Sequence, residues 1–370
     1  MRRWRAKFIA MAAIAALAAC CAVAWGVREN VRGGERVRKF STEFFGTFDT
    51  VVTFTAFARD EAEFERFLGV VRGEMNRMSM LFDIYNSYDG LVNLKTINDS
   101  AGTAPLKVDS DILELIALAK EAHAETGGAV NVALGPVLAI WHDYRERAAS
   151  GDVGPPPEAE LRTSAAHTSI DDVEMDEENG TVFLRYPDMR LDVGAIAKGY
   201  AAQKAADRAR ALGLASGIIN AGGNVVIIGP PLDGRDAWNI GVQAPEPDGA
   251  SFLIDVLSLQ GGSAVTSGNY QRYFISDGKV YHHIIDPKTL YPAENVKSVT
   301  VIHSDSATAD ILSTAAFILP PEEAYSLAAR RGAEAIWITE DGAAVATPGY
   351  LKYSKQAKKP GRGGLKMIGQ

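Results

Sequence analysis

Apolar residues recur along this chain at two spacings, and the spacing switches where glycine, proline and small polar residues cluster. Residues 8–27 carry no charge and are rich in alanine, behind the basic stretch Arg2, Arg3, Arg5 and Lys7. That pattern predicts a secretory signal or a membrane-anchoring helix. Residues 28–41 are charged and contain Gly33-Gly34, which predicts a linker. The β-branched and aromatic run 44–57 predicts one or two strands. Asp60 then stands as a helix cap, and Phe64, Phe67, Leu68, Val71, Met75, Met78 and Phe82 follow at helical spacing. A second helix is predicted over 109–125, stopped by Gly127-Gly128.

Further on, 151–157 reads as a Gly/Pro loop, with short strands around 181–192. An alanine-rich helix is predicted over 196–212, closed by Gly213. A buried strand over 217–229 is interrupted by Gly222-Gly223. Strands are predicted at 238–242, 252–257, 270–274, 281–285 and 296–303, helices at 308–319 and 321–331, and strands at 335–339 and 344–347. From Lys355 the chain is basic and glycine-rich, which predicts disorder. The mixture predicts an α+β fold with one main body, 42–354, flanked by the segments 1–27, 28–41 and 355–370.

Charge sharpens this picture. The 370 residues carry a net charge of −8. Removing the four cations of residues 1–7 and the six beyond residue 351 leaves −18 on the stretch between. So acidic a body is a poor nucleic-acid binder, because phosphate contacts need lysine and arginine. If it holds a phosphate ligand, a metal cation between the two is called for. The two cysteines, Cys20 and Cys21, lie in the N-terminal apolar run. The body therefore has no cysteine nucleophile, thiolate metal site or internal disulfide. Leu17-Ala18-Ala19-Cys20 has the look of a lipoprotein signal, yet the chain stays apolar through Val27. A lipid anchor on Cys20 and an uncleaved transmembrane anchor both remain open. Either places the body on the extracytoplasmic face of the membrane.

Three segments could carry chemistry. In 191–200, a strand ends at Asp192, glycine turns the chain and a helix begins near Ala195. The free amides of a helix N-terminus attract phosphate oxygens, and Lys198 adds a charge one turn in. In 308–314, Asp310, Ser313 and Thr314 share one helical face. A carboxylate beside hydroxyls suits a hard cation such as Mg²⁺. In 282–287, two histidines lead into Asp286-Pro287, and adjacent strand positions point to opposite faces, so one of the two can face a given site. Alone, the first two segments read more readily as capped helices, and the third at least as readily as a strand end.

Taken in order, these segments resemble the ApbE family of FAD:protein FMN transferases. Phe45-Gly46-Thr47 resembles its opening M-G-T. Residues 81–86 resemble the loop whose aromatic residue packs on the flavin nucleotide. Residues 126–136 resemble T-x-G-x-F-D-x-T-x-G-P, 192–200 resemble D-x-G-x-x-A-K-G-Y, and 220–224 resemble N-x-G-G-(D/N). Trp238-Asn239-Ile240-Gly241, His283-Ile284-Ile285-Asp286-Pro287 and 309–314 complete the series. The resemblance implies a T-fold-like body of mixed, mainly antiparallel sheets with packed helices and an FAD cleft. It implies FAD contacts at Phe45, Tyr85, Ala129, Val130, Asn131, Asp192, Lys198 and Ile285, with Asn131 replacing the usual aspartate. It implies Mg²⁺ ligands at Ala195 (through its carbonyl), Asp310, Ser313 and Thr314. His283 and then Asp310 are the candidates for the base. The implied reaction moves FMN from FAD to a threonine or serine hydroxyl of an exported or membrane redox protein. FAD hydrolysis to FMN and AMP, and flavin storage without chemistry, are the alternatives.

Overall fold

A computed structural model describes residues 30–32, 35–151, 153–245, 253–356 and 365–368. The anchor predicted over 1–27 lies outside them. Among the described residues, no helix is long and apolar enough to cross a membrane.

Ten strands form one sheet, and their order in the sheet is their order in the chain. They are β1 (Asn30–Arg32), β2 (Glu35–Thr47), β3 (Thr50–Ala58), β4 (Gly217–Ala221), β5 (Asn224–Ile227), β6 (Gly262–Gly268), β7 (Val296–His303), β8 (Glu334–Thr339), β9 (Ala344–Ala346) and β10 (Leu365–Met367). Neighbours are antiparallel except β9 and β10, which run parallel. The strand predicted across 217–229 is two, because Gly222 and Gly223 both adopt positive φ and close a hairpin.

The loops of this meander carry the helices. Between β3 and β4 come α1 (Glu61–Leu81), α2 (Ser110–Glu125), α3 (Gly135–Ala148) and α4 (Ala197–Ala211). Between β7 and β8 come α5 (Ser306–Ile318) and α6 (Pro321–Arg330). Asp60 caps α1 by accepting from the Glu63 amide, as the sequence predicts, and Asp109 caps α2.

Strand alternation splits the core in two. Val226 and Val265 face the helices with Val299 and Val301. Val225, Ile227, Ala264 and Ile302 face the other way, where the hairpin Trp238–Gln243/Leu253–Leu259 and Tyr350 cover them. On the helical side α1 packs on α4, α4 on α5, and α5 on β6 and β7. A polar network fixes α4 to its neighbours. Tyr200 on α4 donates to Asp111 (2.9 Å) and Glu114 (2.8 Å) of α2.

Two expectations need correction, and one helix has no counterpart in the sequence reading. Residues 35–41 are strand rather than linker. Their charges misled, because Arg38 lies over the Phe40 ring and Lys39 over the Trp238 ring. The tail is not wholly irregular, since residues 365–367 extend the sheet beside β9. Helix α3 was not predicted at all. Gly135, Val137 and Trp141 are its only buried residues, too few to print a helical stripe.

Candidate functional site

The contact between α4 and α5 builds the centre of the site. Gly199 lies so close to α5 that a Cβ there would stand 2.3 Å from the Ser306 carbonyl and 2.6 Å from Asp310 Cβ. With no side chain in the way, the Gly199 amide donates to Asp310 Oδ2 at 2.8 Å. In a regular helix that amide would bond four residues back, to Ala195. Instead the Ala195 carbonyl accepts no hydrogen bond among the described residues, and the Lys198 amide likewise takes no partner. No side chain caps this helix start. An oxygen and an N–H are thus left open side by side at the mouth of α4, which suits a cation and an anion respectively.

Asp310 is 3% exposed. Burial pushes its carboxyl above the usual range, opposed by the Lys198 charge, the Gly199 amide and the Asn224 side chain. Twelve of the thirteen residues of α5 are buried, and the exception is Thr314, one turn from Asp310. The helix therefore opens toward solvent only on the Asp310–Thr314 face. Ser313 is turned away, its hydroxyl bonded to Ser267 Oγ at 2.8 Å and to the Asp310 carbonyl at 2.9 Å. Among the described residues no three His, Cys, Asp or Glu side chains are grouped so as to hold a metal ion. A cation here would rest on one carboxylate, one carbonyl and one hydroxyl, a donor set that fits Mg²⁺, which takes oxygens and retains water.

A second wall faces this centre. Asp192 accepts from the Gly194 amide at 2.9 Å. Burial raises its pKa, while Arg272, His142 and Arg145 oppose the rise. His283 sits among the same cations. Its Nδ1 is buried without a hydrogen-bond partner. Burial, with the charges of Arg272, His282, Lys198 and Arg145, pushes its pKa down to about 3. His282 ends its strand, one residue before His283, and its Nε2 lies against the Ala293 carbonyl at 2.8 Å. Tyr85 is 54% exposed and tilts against His142, ring centroids 5.1 Å apart. Asp192 and Arg145 both act on the Tyr85 hydroxyl, which places this ring at the same cleft. Phe45, at the end of β2, is 67% exposed. Both aromatic faces are open for stacking.

The other sequence-predicted residues are less open. Ala129, Val130 and Ile285 are buried in the core. Asn131 caps the turn Val132–Leu134, accepting from the Ala133 amide at 2.9 Å and donating to the Thr168 carbonyl at 2.9 Å. Asparagine does both where aspartate could only accept. Sequence reasoning missed the arginines. Arg145 lies on the unpredicted helix and Arg272 before a short strand, and neither belongs to a motif.

Fold and cleft together define a class: an α+β protein that offers a phosphate-bearing ligand an open helix start, three cations and an oxygen-donor helix. The chain belongs to the ApbE family, whose model matches residues 48–337. An FAD:protein FMN transferase of Klebsiella pneumoniae (strain 342) is 37% identical over 286 residues, which is 75% of this chain and 86% of that protein. One from Treponema pallidum (strain Nichols) is 36% identical over 267 residues, 70% of this chain and 74% of its own. Among solved structures, the ApbE protein of Thermotoga maritima superposes with a TM-score of 0.76 at 30% identity, covering 86% of this chain and 99% of that one. The fold is thus the mainly antiparallel α+β body expected from the sequence.

Proposed function

We propose that this enzyme is an FAD:protein FMN transferase that moves the FMN half of FAD onto a serine or threonine hydroxyl of an exported or membrane redox protein, with Mg²⁺, releasing AMP. The observation that carries the reading is the junction of α4 and α5, where the Gly199 amide binds Asp310 and the Ala195 carbonyl is left without a hydrogen bond among the described residues.

Ala195, Asp310 and Thr314 would hold the cation, while the Ser313 hydroxyl is taken up by Ser267 and the Asp310 main-chain carbonyl. When bound, Mg²⁺ supplies charge neutralisation on the diphosphate and on the departing AMP. Lys198 and its free amide hold a phosphate oxygen. Phe45 and Tyr85 offer aromatic faces to the rings of FAD. The acceptor hydroxyl oxygen forms a bond to the FMN phosphorus as the bond from that phosphorus to the AMP oxygen breaks. The hydroxyl proton goes to His283 Nδ1, which is buried and unpartnered. A pKa near 3 makes His283 a weak base in the free enzyme. The negative charge of bound diphosphate among Lys198, Arg145 and Arg272 offsets the cations that depress it, and so raises its basicity.

The deciding assay incubates the enzyme with FAD, Mg²⁺ and an acceptor domain. A mass gain of one FMN on the acceptor, with one AMP released, is the expected result. Free FMN with an unmodified acceptor means hydrolysis and overturns the reading. The segment 1–27 is proposed to tether the body at the extracytoplasmic membrane face. Intact mass of membrane-extracted protein tests this, since lipidation at Cys20 removes residues 1–19 and adds acyl chains.

A further inference from the structure

His142 and Arg145 stand three residues apart on α3, so they share one face of that helix. The proposed reaction gives Arg145 a phosphate to meet and gives His142 no task. Arg145 Nη2 lies 2.6 Å from His142 Nδ1. A guanidinium offers donors only, so Nδ1 accepts, and the proton of the neutral ring sits on Nε2. The same imidazole packs against Tyr85, ring centroids 5.1 Å apart with 36° between the planes. Its neighbour Trp141 anchors the helix beneath. Trp141 packs on Phe274 (6.4 Å), Tyr281 (5.9 Å) and Tyr291 (5.5 Å), and its Nε1 donates to the Leu290 carbonyl at 2.8 Å. The imidazole is therefore fixed on a rigid element, between an aromatic ring of the cleft and an arginine.

The neutrality of this partner matters. Arg145 is part-buried, and burial followed by the Arg272 charge depresses its pKa. Among the described residues it forms no ion pair, and Glu146 and Asp192 act on it through space. A carboxylate in the place of His142 would orient the guanidinium and cancel its charge. An imidazole nitrogen orients it and leaves the charge, with the remaining N–H donors free for an anion.

We propose that His142 is a positioning residue for FAD, its Nδ1 aiming the Arg145 guanidinium at the diphosphate. The inference rests on the reading that sets Arg145 beside the bound diphosphate. Without the acceptor nitrogen, the arginine turns to solvent and to Glu146.

A double-mutant cycle of His142→Phe and Arg145→Leu tests this, with FAD affinity read from flavin fluorescence in the absence of acceptor and kcat read from FMN transfer. His142→Phe keeps a ring against Tyr85 and removes the acceptor atom. It is expected to raise the FAD Kd about tenfold and to leave kcat at saturating FAD within about twofold. The double variant should bind FAD no worse than Arg145→Leu alone, because nothing is left to orient. His142→Asn restores an acceptor oxygen near the Nδ1 position and should bring the Kd back to within about threefold of wild type. The proposal fails if His142→Phe binds FAD as wild type does, if the two effects add, or if His142→Asn binds no better than His142→Phe. An unchanged FAD Kd in Arg145→Leu sinks the reading of Arg145 as a phosphate contact, and the role of His142 with it. Passage of FMN to water instead of the acceptor overturns the transferase reading and leaves these binding constants as they are.

Discussion

Asp310 concentrates the conflict between stability and chemistry in this protein. A carboxylate 3% exposed is costly, and only Lys198, one amide and one side-chain amide oppose the cost. Asp310→Asn keeps an oxygen for the Gly199 amide and removes the charge. It should lower FMN transfer by at least about 100-fold. Thermal melting of the metal-free protein should stay level or rise. A variant that transfers FMN at the wild-type rate means Asp310 holds no cation. His283 poses the converse case. Its folded pKa of about 3 lies below the ordinary 6.5. Above pH 6.5 the ring is neutral whether folded or not, so it contributes no pH dependence. Between 6.5 and about 3 the unfolded chain takes up the proton first, so folding stability is lost as pH falls. Urea midpoints across that window should therefore drop more steeply in wild type than in His283→Asn. The difference should be on the order of 4–5 kcal/mol at the acid end. Parallel curves for the two proteins would refute a buried, neutral His283.

At the scale of elements, the site depends on how closely α4 can approach α5. Gly199→Ala tests this with one methyl group. The nearest atoms, the Ser306 carbonyl and Asp310 Cβ, belong to helix α5 and cannot swing aside. Overpacking of this kind costs about 1–3 kcal/mol. The variant should melt lower and lose transfer together, since Asp310 and the Ala195 turn would both move. Retained activity in a destabilised Gly199→Ala protein would show that the approach is structural only. The same contact explains what the sequence could and could not reveal. Asp310 and Thr314 were legible as a pair because four residues make one helical turn. The capped helices α1 and α2 were legible because Asp60 and Asp109 sit just before apolar stripes. Helix α3 was not, because it is held by one tryptophan and its aromatic neighbours rather than by a stripe. Arg145 and Arg272 meet only through the fold, with no local pattern to mark them. Ser313 looked like a ligand by spacing, and only the structure shows its hydroxyl already bonded to Ser267.

Over the whole molecule, a cleft lined with cations is set in a chain of net charge −8, with −18 on the stretch between its basic ends. FAD is an anion, so the body repels it at long range, while on the proposed reading Lys198, Arg145 and Arg272 attract it close in. Exposed charges more than a Debye length apart, about 10 Å at 0.1 M salt, are screened, whereas the buried centre is screened much less. The two contributions should therefore separate by ionic strength. With Mg²⁺ present, close attraction dominates and added salt should weaken FAD binding. On the proposed reading, chelation takes from Asp310 its metal counter-charge and the acidic body prevails. FAD affinity should then fall at least about tenfold. Moderate salt should partly restore it by screening the long-range repulsion. Titrating FAD with and without chelator at two ionic strengths reads both signs. The same salt response in both states would mean that no cation stands between this acidic protein and its dinucleotide.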